Sequence, residues 1–270
     1  MRLGVSFTAV APSTLSRQRM VADARMTERA GFDSLWFFDA LGREHIHPDP
    51  LIALTVAAMA TESIEVGTCI MQVPLRHAAE LAQRVLTAQL ASDNRMAFGV
   101  GAGSTKADFD LVGVDFSSRM RALDEGLRTM HALWRGEAVN GITLDPWPST
   151  LGGPPVLIGS WAGSQWIPRA AREFDGWIGS GAKSSLGALR GGIERFRAAK
   201  GKRAMVTNIR CDLSAPTTAL TDDTPFSLRC QPDEAKRRLA LLQELGFDDA
   251  VLMLPDRDAK TLDALRQLLV

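Results

Sequence analysis

Gly31-Phe32-Asp33-Ser34-Leu35-Trp36-Phe37-Phe38 decides the fold, because its first three residues recur at Gly246-Phe247-Asp248, again before an apolar run. A near-copy, Glu173-Phe174-Asp175, precedes a third apolar run. Each copy ends a helix-like stretch and opens a short strand-like one. Glycine suits the left-handed cap of a helix, and aspartate favours the turn before the strand. A helix–turn–strand unit that recurs in this way predicts a repeated α/β architecture.

Strand-like and helix-like segments alternate along the whole chain. Eight short apolar segments, each followed by a helical pattern, predict an α/β fold of the TIM (β/α)8 barrel type, formed by residues 1–270 as a single domain. Near-continuous apolar strands are typical of parallel strands that are buried on both faces. An open doubly wound sheet ranks second, because the pattern does not divide into two halves. The predicted strands are 3–8, 34–38, 64–70, 95–100, 156–158, 176–178, 205–213 and 250–254, and the predicted helices include 15–30, 50–61, 78–92, 164–172, 186–199, 232–245 and 260–269.

Composition and charge exclude several classes of partner. The 31 basic residues balance 31 acidic ones, so we expect neither nucleic acid nor a membrane surface as a partner. No apolar run approaches the roughly 18 residues of a membrane span, and the N-terminus enters a strand directly rather than a signal peptide. The three cysteines, Cys69, Cys211 and Cys230, are too few and too scattered for a disulfide framework or a zinc site. We therefore expect a reduced, cytoplasmic protein.

Two glycine-rich loops follow predicted strands, at the end of a barrel where active sites lie. The first, Gly99-Val100-Gly101-Ala102-Gly103-Ser104, either brings backbone amides close to a cofactor or forms a simple tight turn. The second, Gly159-Ser160-Trp161-Ala162-Gly163-Ser164, precedes a predicted helix, where free amides and the helix dipole favour an anion such as a phosphate. A plain helix cap by Ser164 is the alternative for the second loop.

The loop after the second predicted strand carries the candidate catalytic groups. Asp39 directly follows Phe38, and its carboxylate is a candidate base or hydrogen-bond acceptor at the barrel mouth, with a loop cap as the alternative. His45 and His47 lie in the same loop, and either could act on a substrate. The two histidines lack a convincing third ligand, so we predict no metal site.

Several short motifs, in their order and spacing, resemble those of the bacterial luciferase-like monooxygenase superfamily over most of the chain. They are Ala30-Gly31-Phe32-Asp33-Ser34-Leu35-Trp36, Asp49-Pro50-Leu51, Val66-Gly67-Thr68, Pro74-Leu75-Arg76-His77, Gly99-Val100-Gly101-Ala102-Gly103, Gly113-Val114-Asp115-Phe116, Arg119, Leu123-Asp124-Glu125, Leu133-Trp134 and Pro154-Pro155. The resemblance implies a barrel that binds a flavin, either FMN or the 5-deazaflavin coenzyme F420, with the ring across the barrel mouth. It also implies that residues 214–231 are a reduced form of an insertion found in larger monooxygenases.

The same resemblance implies where the cofactor binds. A strand bulge with a non-proline cis peptide would lie behind the ring near Cys69-Ile70-Met71, and the loop from Gly159 to Gly163 would hold the ring edge and the phosphate. Ser180 would complete the pocket, and Asp39 matches a polar position that lines the ring. Together with the glycines of the first loop, the predicted cofactor-binding residues are Asp39, Cys69, Ile70, Met71, Gly101, Gly103, Gly159, Ser160, Trp161, Ala162, Gly163 and Ser180.

The chain departs from the family pattern at two informative positions. Many relatives have a histidine directly after the position of Asp39, near the reacting centre, where this chain has Ala40. His45, from the same loop, is the candidate substitute for that catalytic group. Some deazaflavin-dependent sugar-phosphate dehydrogenases have a glutamate where this chain has Ala102, so we do not expect that activity.

The resulting prediction is a flavin-dependent oxidoreductase, a monooxygenase that acts on a small organic substrate with oxygen and with reduced FMN from a separate flavin reductase. The alternatives are hydride transfer with coenzyme F420, a flavin-binding protein without turnover, and a non-flavin barrel enzyme with a phosphorylated substrate. Superfamily members commonly pair through their second and third helices. An alanine-rich second helix agrees with a homodimer here, since alanines permit close helix approach: Ala53, Ala57, Ala58 and Ala60. Alanine-rich helices also pack against barrels in monomers, and this is the alternative.

Overall fold

Parallel strands and surrounding helices alternate throughout the computed structural model, which describes residues 1–7, 15–254 and 258–269. The strands are β1 (Arg2–Phe7), β2 (Ser34–Phe37), β3 (Glu65–Thr68), β4 (Met71–Gln72), β5 (Met96–Gly101), β6 (Val156–Gly159), β7 (Gly176–Ser180), β8 (Arg203–Asp212), β9 (Ser227–Arg229) and β10 (Asp249–Leu254). The helices are α1 (Arg17–Arg29), α2 (Pro50–Ala60), α3 (Ala78–Ala91), α4 (Lys106–Val112), α5 (Arg119–Trp134), α6 (Trp166–Glu173), α7 (Leu186–Ala198), α8 (Pro232–Leu245) and α9 (Ala259–Arg266).

The sheet closes on itself, because β10 pairs with both β1 and β8. Eight positions around the ring are filled in the order β1, β2, β3, β5, β6, β7, β8 and β10, with parallel pairing at each step. β4 continues the third position after a break, and β9 lies beside β8. The predicted TIM (β/α)8 barrel is confirmed. Thr8, the last residue of the first predicted strand, lies outside the described residues.

The recurring aspartate connects each unit to the start of the preceding barrel strand. In all three copies the backbone amide of the aspartate donates to the carbonyl of one residue in that strand. The carboxylate of the aspartate accepts from the backbone amide of that same strand residue. The pairs, with the amide-to-carboxylate distances, are Asp33 with Leu3 (2.8 Å), Asp175 with Val156 (2.9 Å) and Asp248 with Ala204 (2.7 Å). The motif therefore sets the register between neighbouring strands as well as forming the turn.

Trp36 fills the middle of the barrel. Its indole Nε1 donates to Ser34 Oγ at 2.8 Å, which satisfies the polar atom inside an apolar interior. A Cβ on Gly67 would lie 2.3 Å from the Trp36 ring, so the absence of a side chain there makes room for it. The other interior residues packed with it are Cys69, Ala97, Leu157, Ile178, Met205 and Val251.

Charged groups close the end of the barrel where the strands begin. Arg203 donates to Glu65 at 2.7 Å and to Asp249 at 2.8 Å, and Arg2 reaches the same two carboxylates. Burial works against the charged form of Arg203, but Asp249 and Glu65 outweigh it and raise the pKa of the guanidinium. Active sites of such barrels lie at the opposite end. This network is therefore assigned to stability.

Two segments outside the predicted strands and helices contain regular structure. Residues 101–118 include α4, which is held by the buried Phe109 against Phe116 at 5.1 Å and ended by Gly113 at φ +69°. A seven-residue helix with so short an apolar face has no clear periodicity in the sequence. Residues 214–231 include β9, which pairs with β8. The sixth helix begins at Trp166 rather than at Ser164, because Ser164 Oγ accepts from the Trp166 amide and forms the turn before it.

Three of the four alanines of α2 face inward and Ala60 is partly exposed, which corrects the reason given for a homodimer. Ala53, Ala57 and Ala58 are buried within the subunit, so they are not available to a second copy. The outward face of α2 instead carries Ile52, which is 67% exposed, and Met59, which is 72% exposed. In the part of the chain that the structure describes, no helix combines the length and the apolar character that crossing a bilayer requires.

Candidate functional site

A cis peptide bond joins Cys69 to Ile70, although the second residue of the bond is not proline. It separates β3 from β4, and the strand resumes beside β5, where Met71 pairs with Val100. The break therefore lies at the carboxyl end of the third barrel position, which is the end that carries active sites. The non-proline cis peptide that the family resemblance implies near Cys69-Ile70-Met71 is confirmed.

The side chain of Ile70 lies across the ends of two neighbouring strands. A Cβ added to Gly101 would approach Ile70 Cδ1 to 2.9 Å, and one added to Gly159 would approach Ile70 Cγ2 to 2.4 Å. Both glycines end their strands, so Ile70 occupies space that side chains would otherwise take. We call Ile70, Gly101 and Gly159 the Ile70 platform. It is apolar, with Ile70 and Gly159 half-buried and Gly101 buried.

The two neighbours of Ile70 point into the protein. Cys69 is buried in the barrel interior, and this burial raises the pKa of its thiol to about 12. The thiol therefore stays protonated at neutral pH and is not an acid–base group or a nucleophile. Met71 is buried in the main core. Of the predicted Cys69-Ile70-Met71 set, Ile70 is the side chain that reaches the mouth.

The loop from Gly159 to Gly163 stands beside the platform. Ser160 is fixed in it, since its amide donates to Ile178 and its carbonyl accepts from the Trp177 indole, both at 3.1 Å. Ala162 is buried, and its carbonyl accepts from the Arg195 guanidinium. Within the described residues the amides of Trp161, Ala162 and Gly163 have no acceptor. Three unpaired amides just before α6 are suitable donors for an anion.

Trp161 and Ser180 stand at the edges of this region. Trp161 is 59% exposed, beside the free amides. Ser180 ends β7, and its hydroxyl accepts a 3.3 Å hydrogen bond from the Asn208 side-chain amide. Asn208 has φ +54° within β8, an unusual conformation for a strand residue. Asn208 was not predicted as a site residue, because no local motif marks a left-handed asparagine within a strand.

Asp39 has a different environment from the one predicted. Its two oxygens accept from the Arg76 guanidinium at 2.6 and 3.0 Å, and one also accepts from the Gln72 amide at 2.9 Å. Both oxygens of this buried carboxylate are thus committed to protein donors. This geometry does not support a role for Asp39 as a base, and it assigns Arg76 and Gln72 to the same wall of the mouth.

The structure separates the two histidines of the β2 loop. His45 is exposed, whereas the ring of His47 packs edge-on against Phe38 with 5.4 Å between centroids. Burial lowers the pKa of His47, and the positive charges of Arg43 and His45 lower it further against the opposing effect of Asp108. His47 is therefore a neutral imidazole at neutral pH. The catalytic role of His45 stays a prediction. Among the described residues, no three His, Cys, Asp or Glu side chains are grouped to bind a metal.

The backbone of Gly103 has φ +81°, a conformation that glycine adopts readily. This conformation accounts for a glycine at position 103 without any contact to a cofactor. A Cβ there would lie 2.4 Å from Gln72 Oε1 and 2.9 Å from the Phe109 ring. Gly103 therefore packs on the buried side chains behind the mouth. Its predicted contact with a cofactor stays a prediction.

Comparison with known proteins identifies the family of this barrel. Residues 1–229 match the family model described as luciferase-like monooxygenase. The chain belongs to this family.

Two relatives illustrate the range of similarity. A protein of Sinorhizobium fredii is 26% identical over 272 aligned positions, covering 87% of this chain and 76% of its own length. Limonene 1,2-monooxygenase of Rhodococcus erythropolis is 30% identical over 117 positions, covering 42% of this chain and 29% of its own length. The match to that enzyme is therefore confined to a minor part of it.

Solved structures share the fold along the whole chain. A monooxygenase from Streptomyces bottropensis superposes with a TM-score of 0.82 at 17% identity, covering 100% of this chain and 98% of its own. The oxygenating constituent of 3,6-diketocamphane monooxygenase from Pseudomonas putida, solved with FMN, gives 0.77 at 16% identity and covers 99% and 95%. An F420-dependent secondary alcohol dehydrogenase gives 0.75 at 16% identity and covers 99% and 97%. At these identities the likeness concerns the fold alone.

Proposed function

We propose that this protein is a flavin-dependent monooxygenase that acts on a small organic substrate with reduced FMN and oxygen. The observation that carries the proposal is the Ile70 platform. A side chain at Gly101 or Gly159 would fill the space above the ends of β5 and β6, and both positions are glycine. Ile70 occupies that space instead, directly after the cis peptide at Cys69–Ile70, and would present an apolar surface to the face of a flavin ring.

The chain's own residues would bind and orient the cofactor. Ile70 would support one face of the ring, and the amides of Trp161, Ala162 and Gly163 would donate to the phosphate. Ser180 and Asn208 would supply polar contacts at the opposite side of the mouth. When bound, the flavin supplies the redox chemistry, so the protein has to position the substrate and exclude water. No side chain of this site has to serve as a nucleophile.

Coenzyme F420 is the second candidate cofactor, and with it the reaction would be hydride transfer without oxygen. An F420-dependent secondary alcohol dehydrogenase shares the fold over 99% of this chain, so a barrel of this shape also accommodates that reaction. A third candidate, a flavin-binding protein without turnover, is favoured by Ala40, which is buried where many family members have a histidine. The Ile70 platform and the three unpaired amides agree equally well with all three candidate functions.

The proposed function includes two protein partners. A separate reductase would supply reduced FMN. A second copy of the chain would pack on the outward face of α2, where Ile52 and Met59 are exposed. Burying both side chains on association is favourable by roughly 1.5–3 kcal/mol each.

Titration of the purified protein with FMN and with F420, each oxidised and reduced, tests the proposal through flavin fluorescence and absorbance. Tighter binding of FMN, followed by oxygen uptake in the presence of a flavin reductase and candidate substrates, is the expected result. Tighter binding of F420 with substrate-dependent reduction would replace it with the second candidate. Binding of neither cofactor would overturn the flavin function.

A further inference from the structure

Asp108 is a fully buried carboxylate whose charge is stabilised from outside its own helix. It lies in the first turn of α4 with 0% exposure. It accepts from the Gly42 amide at 2.8 Å, from Arg43 Nε and Nη2 at 3.3 and 3.0 Å, and from Gln72 Nε2 at 2.9 Å. A buried charge is tolerated only when such donors surround it. All of these donors come from the loop after β2 or from β4.

The backbone of the β2 loop is pressed directly onto α4. A Cβ on Gly42 would lie 2.3 Å from the Ala107 carbonyl oxygen and 2.8 Å from the Asp108 amide nitrogen. Arg43 also donates to the Thr105 hydroxyl at 2.9 Å. The loop therefore contacts the start of α4 through a glycine without a side chain and an arginine with several hydrogen bonds.

Gln72 extends this contact to a second buried carboxylate. Its side-chain amide donates to Asp108 at 2.9 Å and to the Asp39 carbonyl at 3.2 Å, while its backbone amide donates to the Asp39 carboxylate. Asp39 in turn is held by Arg76. The segments that follow β2, β3 and β5 are thus joined by one polar network. These segments form neighbouring parts of the barrel mouth, because their strands are adjacent.

The network holds a short segment of the mouth at both ends. We call residues 42–49 the rim segment. Arg43 holds its first end to Asp108, and Asp49 holds its second end, since its carboxylate accepts from the first amides of α2 at 2.9 and 3.1 Å. Between these anchors His47 packs against Phe38, while Ile46 is 97% exposed. Without the anchor at Arg43, the rim would lose its ion pair with α4 and keep only the packing of His47 on Phe38 and the contacts of its flanking residues.

We propose that Asp108 is a positioning residue that holds the rim segment over the barrel mouth and so keeps the pocket in its binding-competent shape. It acts through Gly42 and Arg43 and touches neither cofactor nor substrate. The inference rests on the proposed function for the identity of the ligand. The attachment of the rim can be tested without any ligand.

Asp108→Asn is the test variant, and Asp249→Asn is its matched control. Both carboxylates are fully buried and bind arginine, but Asp249 lies at the opposite end of the barrel with Arg203 and Arg2. We expect both variants to lower the melting temperature. Only Asp108→Asn should accelerate tryptic cleavage after Arg43, by tenfold or more, and weaken FMN binding by about the same factor. Cleavage is followed by mass spectrometry in the absence of ligand, and binding by flavin fluorescence.

Gly42→Ala provides a second route to the same effect with the carboxylate intact. Its Cβ cannot fit against the Ala107 carbonyl, so it should detach the rim and increase cleavage after Arg43. Equal cleavage and equal FMN affinity in Asp108→Asn and Asp249→Asn would overturn the proposal, since Asp108 would then contribute only to stability. If the wild-type protein binds no flavin, the flavin function fails, while selective cleavage of Asp108→Asn and Gly42→Ala would still support the positioning of the rim.

Discussion

The side chain of Ile70 lies where a Cβ on Gly159 would have to be, with 2.4 Å between that position and Ile70 Cγ2. The two residues belong to the third and fifth barrel positions, counted along the chain, and meet because the strand between them also ends in a glycine, Gly101. The cis peptide at Cys69–Ile70 and the two glycines thus form one feature. The flavin proposal rests on this feature, and substitution of either glycine by alanine would disturb it.

Gly159→Ala should displace Ile70 and weaken flavin binding by tenfold or more. Gly191→Ala is the control, because a Cβ there meets nothing within 4 Å and the residue lies in α7. The control should keep its flavin affinity and gain slightly in stability from better helix propensity. Fluorescence titration with FMN, or with F420 if that cofactor binds more tightly, measures the difference. Unchanged affinity in Gly159→Ala would remove the platform from the binding site.

Asp39→Ala should destabilise the protein by about 3–5 kcal/mol, the cost of leaving a buried partner charge unpaired. The partner is Arg76, whose side chain is nearly as buried as that of Asp39. Asp110→Ala is the control, because its pair with Lys106 is solvent-exposed and should change stability by less than about 1 kcal/mol. Urea denaturation measures both. Wild-type stability combined with lost turnover in Asp39→Ala would instead restore the predicted role as a base.

Met59→Glu should convert a homodimer into a monomer. The substitution places a charge on the outward face of α2 beside Ile52, where apolar contact between two copies would otherwise be buried. Leu111→Glu, on the exposed part of α4, serves as the control and should leave the assembly unchanged. Light scattering after size-exclusion chromatography reports the mass. A wild-type monomer would contradict the proposed dimer at once.

His47 should titrate below the ordinary histidine pKa of about 6.5, because burial and nearby positive charge disfavour its protonated form. A histidine whose folded pKa lies below its unfolded pKa binds fewer protons in the folded state. His47 therefore does not lower the stability of the folded protein at a pH above its unfolded pKa. It lowers that stability increasingly as the pH falls through about 6.5 toward its folded pKa. NMR titration of the His47 ring, assigned with His47→Gln, gives the pKa. A value above 6.5 would mean that the ring is not packed against Phe38 in solution.

Features that depend on residues close together in the chain could be predicted well. In the helix–turn–strand units at Gly31-Phe32-Asp33 and Gly246-Phe247-Asp248, the helix is followed by a glycine with φ of +79° and +101°, respectively, as the sequence indicates. Backbone preferences of adjacent residues determine such turns, and their repetition was enough to predict the barrel. The cis peptide was located from the motif resemblance alone, because the motif includes the residues that surround it.

Features that depend on barrel closure could not be predicted in this way. Asp39 meets Arg76 across 37 positions, and Asp108 meets Arg43 across 65, so no local pattern shows that these charges are paired. The alanines of α2 follow a helical pattern, but only packing decides that they face the barrel rather than a second subunit. The sequence by itself determined the order of strands and helices, since this order follows from local backbone and hydrophobic preferences. The tertiary structure alone decided which charges are paired and which amides of the loop before α6 have no acceptor among the described residues, since those partners meet only when the ring of strands has closed.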